Sequence, residues 1–389
     1  MVPNLRFNND PYKKYNLYEF ATRVTRKNKD NVSNLPLTIS AQYGLVDQVS
    51  FFNKTVASKD MSGYYLLKNG EFAYNKSYSN DYPWGAIKRL DLYDMGCLST
   101  LYICFKTNDN IVNSNYLVHY FESSKWHKQV ADIAGEGARN HGLLNIVVND
   151  FFNTKHAVPT IENQIKIAGF LDLIEKRIQT QIKIIDDCIS YRNAIVDYYF
   201  ESLSGNWKKV KLSNILKEYS ELHIKDDSIV HATLSKEGIF PKTDRYDRDF
   251  LVKDEDKKYK VTHLNDICYN PANLKFGVIT RNTFGDCIIS PIYITFKIKS
   301  GFIPKFVELL VTRKQFISKA RKYEQGTVYE RMSVNSSDLL SMYVLIPSFS
   351  IQQKIVNIIN NIDNKIFNEQ KLLNLYKLQK VYLLKNMFI

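Results

Sequence analysis

The sequence lacks the residue patterns of disulfide-rich, metal-binding and membrane-spanning proteins. Its five cysteines are scattered and none forms a Cys-x-x-Cys pair, so neither a disulfide framework nor a cysteine-rich zinc site is indicated. The seven histidines show no His-x-His or His-x-x-x-His spacing. No apolar run approaches the roughly 18 residues that cross a bilayer, and the first residues form no apolar signal segment. These absences predict a protein of the reducing cytoplasm with no membrane partner.

The distribution of charge indicates an anionic partner. The net charge is +13, and hydrophobic residues make up 44% of the chain, which is enough for folded cores. Segments 161–203 and 350–389 have a helical pattern and carry net charges of −2 and +4, which leaves +11 on the rest. Because the globular parts hold the positive charge, the pattern favours nucleic acid over a basic helix lying on a membrane.

The two halves of the sequence repeat one another. Residues 12–17 (YKKYNL) match 207–212 (WKKVKL) at an offset of 195, and 99–106 (STLYICFK) match 290–297 (SPIYITFK) at an offset of 191. Pro159 and Pro347, which are 188 residues apart, precede similar helical segments. Seven such matches occur in the same order, so the pattern indicates a duplication.

Each half has the same plan of short alternating β-type runs, then a proline, then a long helix. A helix of about 40 residues is about 60 Å long, and two such helices bury their apolar stripes most simply as an antiparallel pair. The residues predicted to form this interface are Leu171, Ile174, Ile178 and Ile185 in the first helix, and Ile355, Ile359, Ile362 and Ile366 in the second. The predicted fold is α+β, with two pseudo-repeated globular α/β domains (1–158 and 204–346) and two antiparallel coiled-coil helices (159–203 and 347–389).

This order of domains and helices resembles the specificity subunit of type I restriction–modification systems. The opening 3–7 (PNLRF) and the segments 159–167 (PTIENQIKI) and 347–355 (PSFSIQQKI) are similar to that family's start and to the beginnings of its two conserved helices. At the beginning of each conserved helix the family usually has a double proline and an acidic residue. The first copy here lacks the second proline, and the second has Ser350 in place of the acid.

The resemblance implies that each domain is a target-recognition domain for one half of a bipartite, asymmetric site in double-stranded DNA. It further implies that the helices set the spacing of the two half-sites and dock two methyltransferase subunits. Restriction motor-nuclease subunits would join this complex. S-adenosylmethionine, ATP and Mg²⁺ are expected on the partner subunits, and this chain is expected to bind no cofactor and to perform no chemistry.

Two alternatives are a tandem-domain nuclease or methyltransferase and a coiled-coil protein scaffold. Three short motifs bear on the enzyme alternative, and each is better explained by a loop or a turn. Residues 132–137 (DIAGEG) lack the preceding hydrophobic strand of an S-adenosylmethionine site, and 270–273 (NPAN) lack the second proline and the aromatic of a methyltransferase motif. Residues 255–257 (EDK) only faintly resemble a nuclease site, and the chain has no phosphate-binding GxxxxGK[ST] loop.

Reading base edges calls for Arg, Lys, Asn and Gln on loops or helix ends, and clamping phosphates calls for Lys and Arg. The buried-strand positions of Tyr74 and Tyr269 predict core residues rather than stacking platforms. The predicted DNA-contacting residues are Lys76, Trp84, Lys88, Arg89, Arg139 and Asn140 in the first domain, and Lys275, Arg281, Asn282, Tyr329 and Arg331 in the second.

Overall fold

The computed structural model describes residues 12–40, 42–79, 82–135, 142–224, 228–242, 258–325 and 332–388. The chain divides into two compact units. The first unit comprises residues 1–183 together with 370–389, and the second comprises residues 184–369. Each unit contains one globular part and one segment of each long helix.

The globular part of the first unit is built around a four-stranded antiparallel sheet. The strands are β1 Lys13–Asn16, β2 Ala21–Arg23, β3 Leu37–Ser40, β4 Gly44–Asp47, β5 Tyr65–Lys68, β6 Phe72–Asn75, β7 Ala86–Arg89, β8 Met95–Leu98, β9 Ile103–Thr107 and β10 Lys155–Val158. The main sheet has the order β2-β9-β6-β7, and β1-β10, β3-β4 and β5-β8 form separate pairs. The helices are α1 Leu17–Phe20, α2 Gln48–Phe52, α3 Ser114–Glu122, α4 His127–Ala131, α5 Val148–Phe152 and the 41-residue α6 Ile161–Glu201.

Aromatic side chains fill the core of the first unit. Phe72 stacks on Phe105 across neighbouring strands with ring centroids 5.3 Å apart, and Tyr74 stacks on Phe151 at 5.0 Å. Aromatic pairs of this kind stabilise a core beyond the area they bury. The Tyr74 hydroxyl donates a hydrogen bond to the Trp84 carbonyl at 2.7 Å, and burial raises its pKa well above the ordinary value. The prediction that Tyr74 is a core residue is confirmed.

His156 is buried in this core as a neutral imidazole. Its Nδ1 lies 2.9 Å from the Tyr120 hydroxyl, and its Nε2 lies 2.8 Å from the Thr154 hydroxyl. Burial lowers the pKa of His156 from 6.5 to about 4, because the charged form would lose its hydration. The unfolded chain therefore binds a proton at this residue in a pH range where the folded chain does not.

Acidification from pH 6.5 to 4 is expected to remove about 3 kcal/mol of stability through His156. The folded pKa lies below the unfolded one, so the contribution is fully present above pH 6.5 and is lost as the pH falls towards 4. The measurement is urea unfolding at several pH values for the wild type and for His156→Val, since valine (Val344) holds the equivalent position in the second half. The same pH dependence in both proteins between pH 6.5 and 4 would contradict the prediction.

The second unit repeats the architecture of the first. Its strands are β11 Lys208–Lys211, β12 Leu216–Tyr219, β13 Leu222–Ile224, β14 Val230–Leu234, β15 Ile239–Pro241, β16 Lys258–Thr262, β17 Ile267–Tyr269, β18 Ile279–Arg281, β19 Cys287–Ile289, β20 Ile294–Ile298 and β21 Tyr343–Ile346. Its helices are α7 Pro304–Val311, α8 Lys314–Ala320 and α9 Ser336–Ser341. The 39-residue α10 Phe349–Met387 begins in this unit, and its residues from 370 onward belong to the first. Tyr269 is buried on β17, as predicted.

The sheet order β12-β20-β17-β18 reproduces β2-β9-β6-β7 strand for strand, and the pair β11-β21 reproduces β1-β10. The halves differ in the remaining strands. The second unit has a five-stranded sheet, β13-β16-β19-β14-β15, where the first has the two separate pairs β3-β4 and β5-β8. The duplication predicted from sequence is therefore confirmed in the fold, and the two domains diverge outside the shared sheet.

Four cysteines are buried, two in each unit: Cys97 and Cys104 in the first, and Cys268 and Cys287 in the second. Burial raises the pKa of Cys104 and of Cys268 to about 12, and that of Cys287 to about 11. Such thiols pack as small apolar groups and carry almost no thiolate at neutral pH.

Candidate nucleic-acid interface

A glutamine in the first turn of each long helix joins that helix to its globular part. Gln164 in α6 is fully buried, and its Oε1 accepts a hydrogen bond of 2.7 Å from the amide of Asn113, which precedes α3. Gln352 in α10 accepts in the same way from the amide of Ile303, which precedes α7, at 3.1 Å. Each glutamine also donates its Nε2 hydrogen to the carbonyl of the proline before its helix. These first-turn glutamines fix the start of each helix against its own domain.

The change Gln352→Met is expected to destabilise the second unit by about 1–3 kcal/mol, because it leaves a partly buried amide and a buried carbonyl without their glutamine partner. The matched control is Gln353→Met, since Gln353 is exposed and its side chain donates a hydrogen bond to Asn357 one turn further along α10. Urea unfolding of both variants measures the difference. Equal losses of stability would show that the buried hydrogen bonds contribute nothing.

Matching ion pairs join α6 and α10 within each unit. In the first unit, Lys380 lies 2.7 Å from Glu175, and in the second Arg192 lies 2.5 Å from Asp363. The two acids are 188 residues apart, and so are the two cations. In the first unit Arg177 also lies over the Tyr376 ring, 4.8 Å from its centroid. As residue numbers rise along α6 those of their partners fall along α10, so the paired segments run antiparallel, as predicted.

The predicted interface residues are all buried or partly buried. Those that are buried within their unit's core are Leu171, Ile174 and Ile178 in the first unit, and Ile355 and Ile359 in the second. Ile185 is 7% exposed, Ile362 packs against the second core, and Ile366 is half-buried. Whether any of these residues dock a partner subunit stays a prediction.

The structure places two predicted DNA-contacting cations of the first domain against intramolecular partners. Lys88 Nζ lies 3.3 Å from Glu122. Arg89 Nε lies 2.6 Å from Asp91, and its Nη1 donates hydrogen bonds to the side chains of Ser114 and Asn115. Both cationic side chains are mostly buried, at 14% and 16% exposed, so these contacts tie β7 to α3 and to the loop that follows β7.

Glu122 pairs with two lysines, Lys88 on β7 and Lys380 on α10. Burial by itself raises its pKa, but Lys88 and Lys380 outweigh that effect, so the pKa lies below the ordinary value. The Lys380 ammonium lies 2.8 Å from Glu122 as well as 2.7 Å from Glu175. Burial lowers the pKa of Lys380, yet these two carboxylates raise it above its ordinary value. The charges are therefore held in a partly buried network that links the domain to α10.

The other described candidates of the first domain are Lys76 and Trp84, which are both half-buried. Lys76 follows β6, and its carbonyl accepts a hydrogen bond from the Leu144 amide. Trp84 packs against the core and precedes Gly85, which has a φ of +76°. Arg139 and Asn140 lie outside the described residues.

In the second domain, Arg281 and Asn282 are integrated into the fold. Arg281 Nε lies 2.8 Å from Glu308 on α7, much as Arg89 bonds to α3 in the first domain. Asn282 is fully buried. Its Oδ1 accepts hydrogen bonds from the amides of Phe284 and Gly285, so the residue stabilises the turn between β18 and β19. In this conformation Asn282 presents no surface to a base.

Lys275, another predicted DNA-contacting residue of the second domain, is exposed and lies on a concave surface. It belongs to the short 3₁₀ helix Leu274–Phe276, and it lines a cavity of about 1030 Å³ within the second unit. Tyr329 and Arg331 lie outside the described residues. Sequence reasoning missed the other cations of this cavity, because polar residues at helix and turn positions are ordinarily just solvated. These cations are Arg192, Lys236, Lys314 and Arg321.

The motifs considered for catalysis have structural roles where they are described. Asn270 Oδ1 accepts hydrogen bonds from the amides of Ala272 and Asn273, so residues 270–273 form a turn, as predicted. Residues 136–137 of the glycine motif and residues 255–257 lie outside the described residues. Among the residues that the structure covers, no cluster of three His, Cys, Asp or Glu side chains could hold a metal ion. Within the same ranges, no helix is both long and apolar enough to cross a bilayer.

Comparison with known proteins gives matches only at the level of structure. No family model matches the sequence, and no curated protein matches it. The chain is similar to a type I restriction–modification S subunit from M. genitalium, with a TM-score of 0.51 and 14% identity over 100% of this chain and 99% of that one. The fold is that of a type I S subunit. A chain from a structure of type I R-M complex assembly and conformational transition is also similar, with a TM-score of 0.58 and 13% identity over 96% of each chain.

Proposed function

We propose that the chain is the DNA-recognition subunit of a type I restriction–modification enzyme. The observation that carries this proposal is the duplicated S-subunit fold, with two basic globular parts joined to helices that pair antiparallel within each unit. Each globular part reads one half of a bipartite site in double-stranded DNA. Two binding modules on one chain gain affinity and specificity together, because the second binding event becomes intramolecular.

The long helices suit the role of a spacer. A rigid helical connection keeps the separation of two half-sites defined, whereas a flexible linker would blur it. The first-turn glutamines support this role because they anchor each helix to its own domain. In the proposed complex the helices also dock two methyltransferase subunits, and motor-nuclease subunits join for restriction. The partners carry S-adenosylmethionine, ATP and Mg²⁺, this chain performs no chemistry, and the complex acts in the cytoplasm.

The two domains differ outside their shared sheet, so the half-sites are expected to differ and the full site to be asymmetric. The test is to co-express the chain with a cognate methyltransferase subunit and to map adenine methylation by long-read sequencing. A split, asymmetric motif that vanishes when the chain is omitted is the expected result. A palindromic motif would contradict the prediction that the two half-sites differ.

Two further experiments separate this function from the alternatives. Turnover of DNA by the purified chain with Mg²⁺, or transfer of a labelled methyl group from S-adenosylmethionine, would identify a single-chain enzyme instead. Complex formation with DNA binding but without a new methylation motif would favour a protein scaffold or a degenerate, silent subunit.

A further inference from the structure

The cavity that contains Lys275 is a basic cleft between the globular part of the second unit and its segments of the long helices. Five cationic side chains line it, from four separate elements, against two carboxylates. The cations are Arg192 on α6, Lys236 in the β14–β15 turn, Lys275 in the 3₁₀ helix, Lys314 on α8 and Arg321 just after α8; the carboxylates are Glu237 and Asp363. We refer to this cavity as the basic cleft.

Helix α8 presents a polar face to the basic cleft. Lys314, Ser318 and Arg321 are spaced by four and three residues, which places them on the same side of the helix. Asp363, on the opposite wall, is already matched by Arg192 at 2.5 Å and by Lys305 at 3.2 Å. Lys236 also lies 3.6 Å from Glu237, and Arg321 lies 3.3 Å from Glu324. With five cations against two lining carboxylates the cleft keeps a net positive charge, so a ligand that fits it carries negative charge.

An aromatic ring projects at the edge of the basic cleft. Phe276 is 65% exposed, and the Lys275 ammonium lies 5.2 Å from the centre of its ring. Ile189, Ile317 and Ile366 supply apolar lining beside the cations. A ligand matched to this surface combines a repeating anionic group with less polar parts, which describes the phosphates and sugars of a nucleic-acid backbone.

We infer that the basic cleft binds the phosphodiester backbone of duplex DNA next to the half-site of the second domain. The inference rests on the proposed function and adds to it the place where the backbone lies. Arg192 and Asn193 belong to α6, so the spacer helix itself contributes to the DNA contact. DNA in the cleft touches the domain and the helices at once, and it holds the second domain in one orientation on its helices.

The first test is the salt dependence of binding of the full chain to a random 40-base-pair duplex. Each phosphate contact contributes about 0.9 to the slope of log K against log salt. The double variant Lys275→Ala/Lys314→Ala is expected to lower that slope by about 1.8 and to weaken binding by about 60-fold at 0.1 M salt. The matched control is Lys217→Ala/Lys258→Ala, which removes two exposed lysines of the same unit outside the cleft. This control is expected to leave the slope unchanged.

The second test uses the wild-type chain, so it does not depend on how any variant folds. Lysines are acetylated with and without duplex DNA, and the modified positions are quantified by mass spectrometry. Protection of Lys236, Lys275 and Lys314, with Lys217 and Lys258 unprotected, is the expected pattern. Uniform protection, or none in the cleft, together with normal DNA binding would overturn the inference and leave the proposed function standing. Absence of any DNA binding would overturn both.

Discussion

The change Gly85→Ala is expected to destabilise the first unit by on the order of 4 kcal/mol or more, whereas Gly277→Ala is expected to cost about 1 kcal/mol. The two glycines hold equivalent positions in the repeat, and both have a positive φ, of +76° and +83°. A Cβ at Gly85 would lie 2.1 Å from the Asn75 carbonyl oxygen, so the backbone of β6 would have to move. At Gly277 the nearest atom is 3.9 Å away, and only the cost of the backbone conformation remains.

Urea unfolding followed by tryptophan fluorescence measures both changes. Trp84 and Trp126 report on the first unit, and Trp207 reports on the second. Because the second variant carries the same chemical change in an equivalent turn, it is an internal control for the alanine methyl group itself. Similar losses of unfolding free energy in the two variants would mean that the close approach of β6 to Gly85 has no energetic effect.

The change Lys380→Met is expected to cost about 3 kcal/mol at pH 7, because it leaves the Glu122 and Glu175 carboxylates close together in a partly buried site. Lys88 still pairs with Glu122 and offsets part of the loss. In the wild type the pKa of Glu122 is held low, so its contribution is present above pH 4.5 and is lost as the pH falls. In the variant the pKa of Glu122 is expected to rise. The penalty should then shrink on acidification as the carboxyl takes up a proton.

The control for this change is Lys377→Met, since Lys377 is exposed on the same helix. Its loss of stability is expected to stay below about 0.5 kcal/mol, as is usual for a surface position. Chemical unfolding of both variants between pH 4.5 and 8 provides the measurement. A Lys380→Met penalty that does not change with pH would contradict the role assigned to Glu122.

The sequence predicted the architecture because both the duplication and the helical periodicity can be observed directly in the sequence, without knowledge of tertiary contacts. Repeated order located the two long helices, and the spacing of apolar residues identified positions that are buried or partly buried along them. The divergent sheets were not predicted, because the β14–β19 pair joins strands that are distant in the sequence. Local pattern gives no information about which strands will meet across such a distance.

Residue type was a poorer guide to the candidate site. Lys88, Arg89 and Arg281 have the chemistry of DNA contacts, yet the fold places acids beside them. Glu122 lies 34 residues from Lys88 and Glu308 lies 27 residues from Arg281, so neither pairing is visible in a local pattern. Conversely, the cations on α8 have the spacing of any solvated helix face, and only the tertiary structure shows that they share a cleft.

The buried cysteines give each unit its own chemical reporter of local unfolding. A thiol with a pKa of about 12 reacts with alkylating reagents only when its surroundings open, so the rate of labelling measures how often they do. Cys97 and Cys104 report on the first unit, and Cys268 and Cys287 report on the second, without any engineered label. Alkylation kinetics with and without DNA would therefore show which of the two units becomes more rigid if the chain binds DNA as proposed.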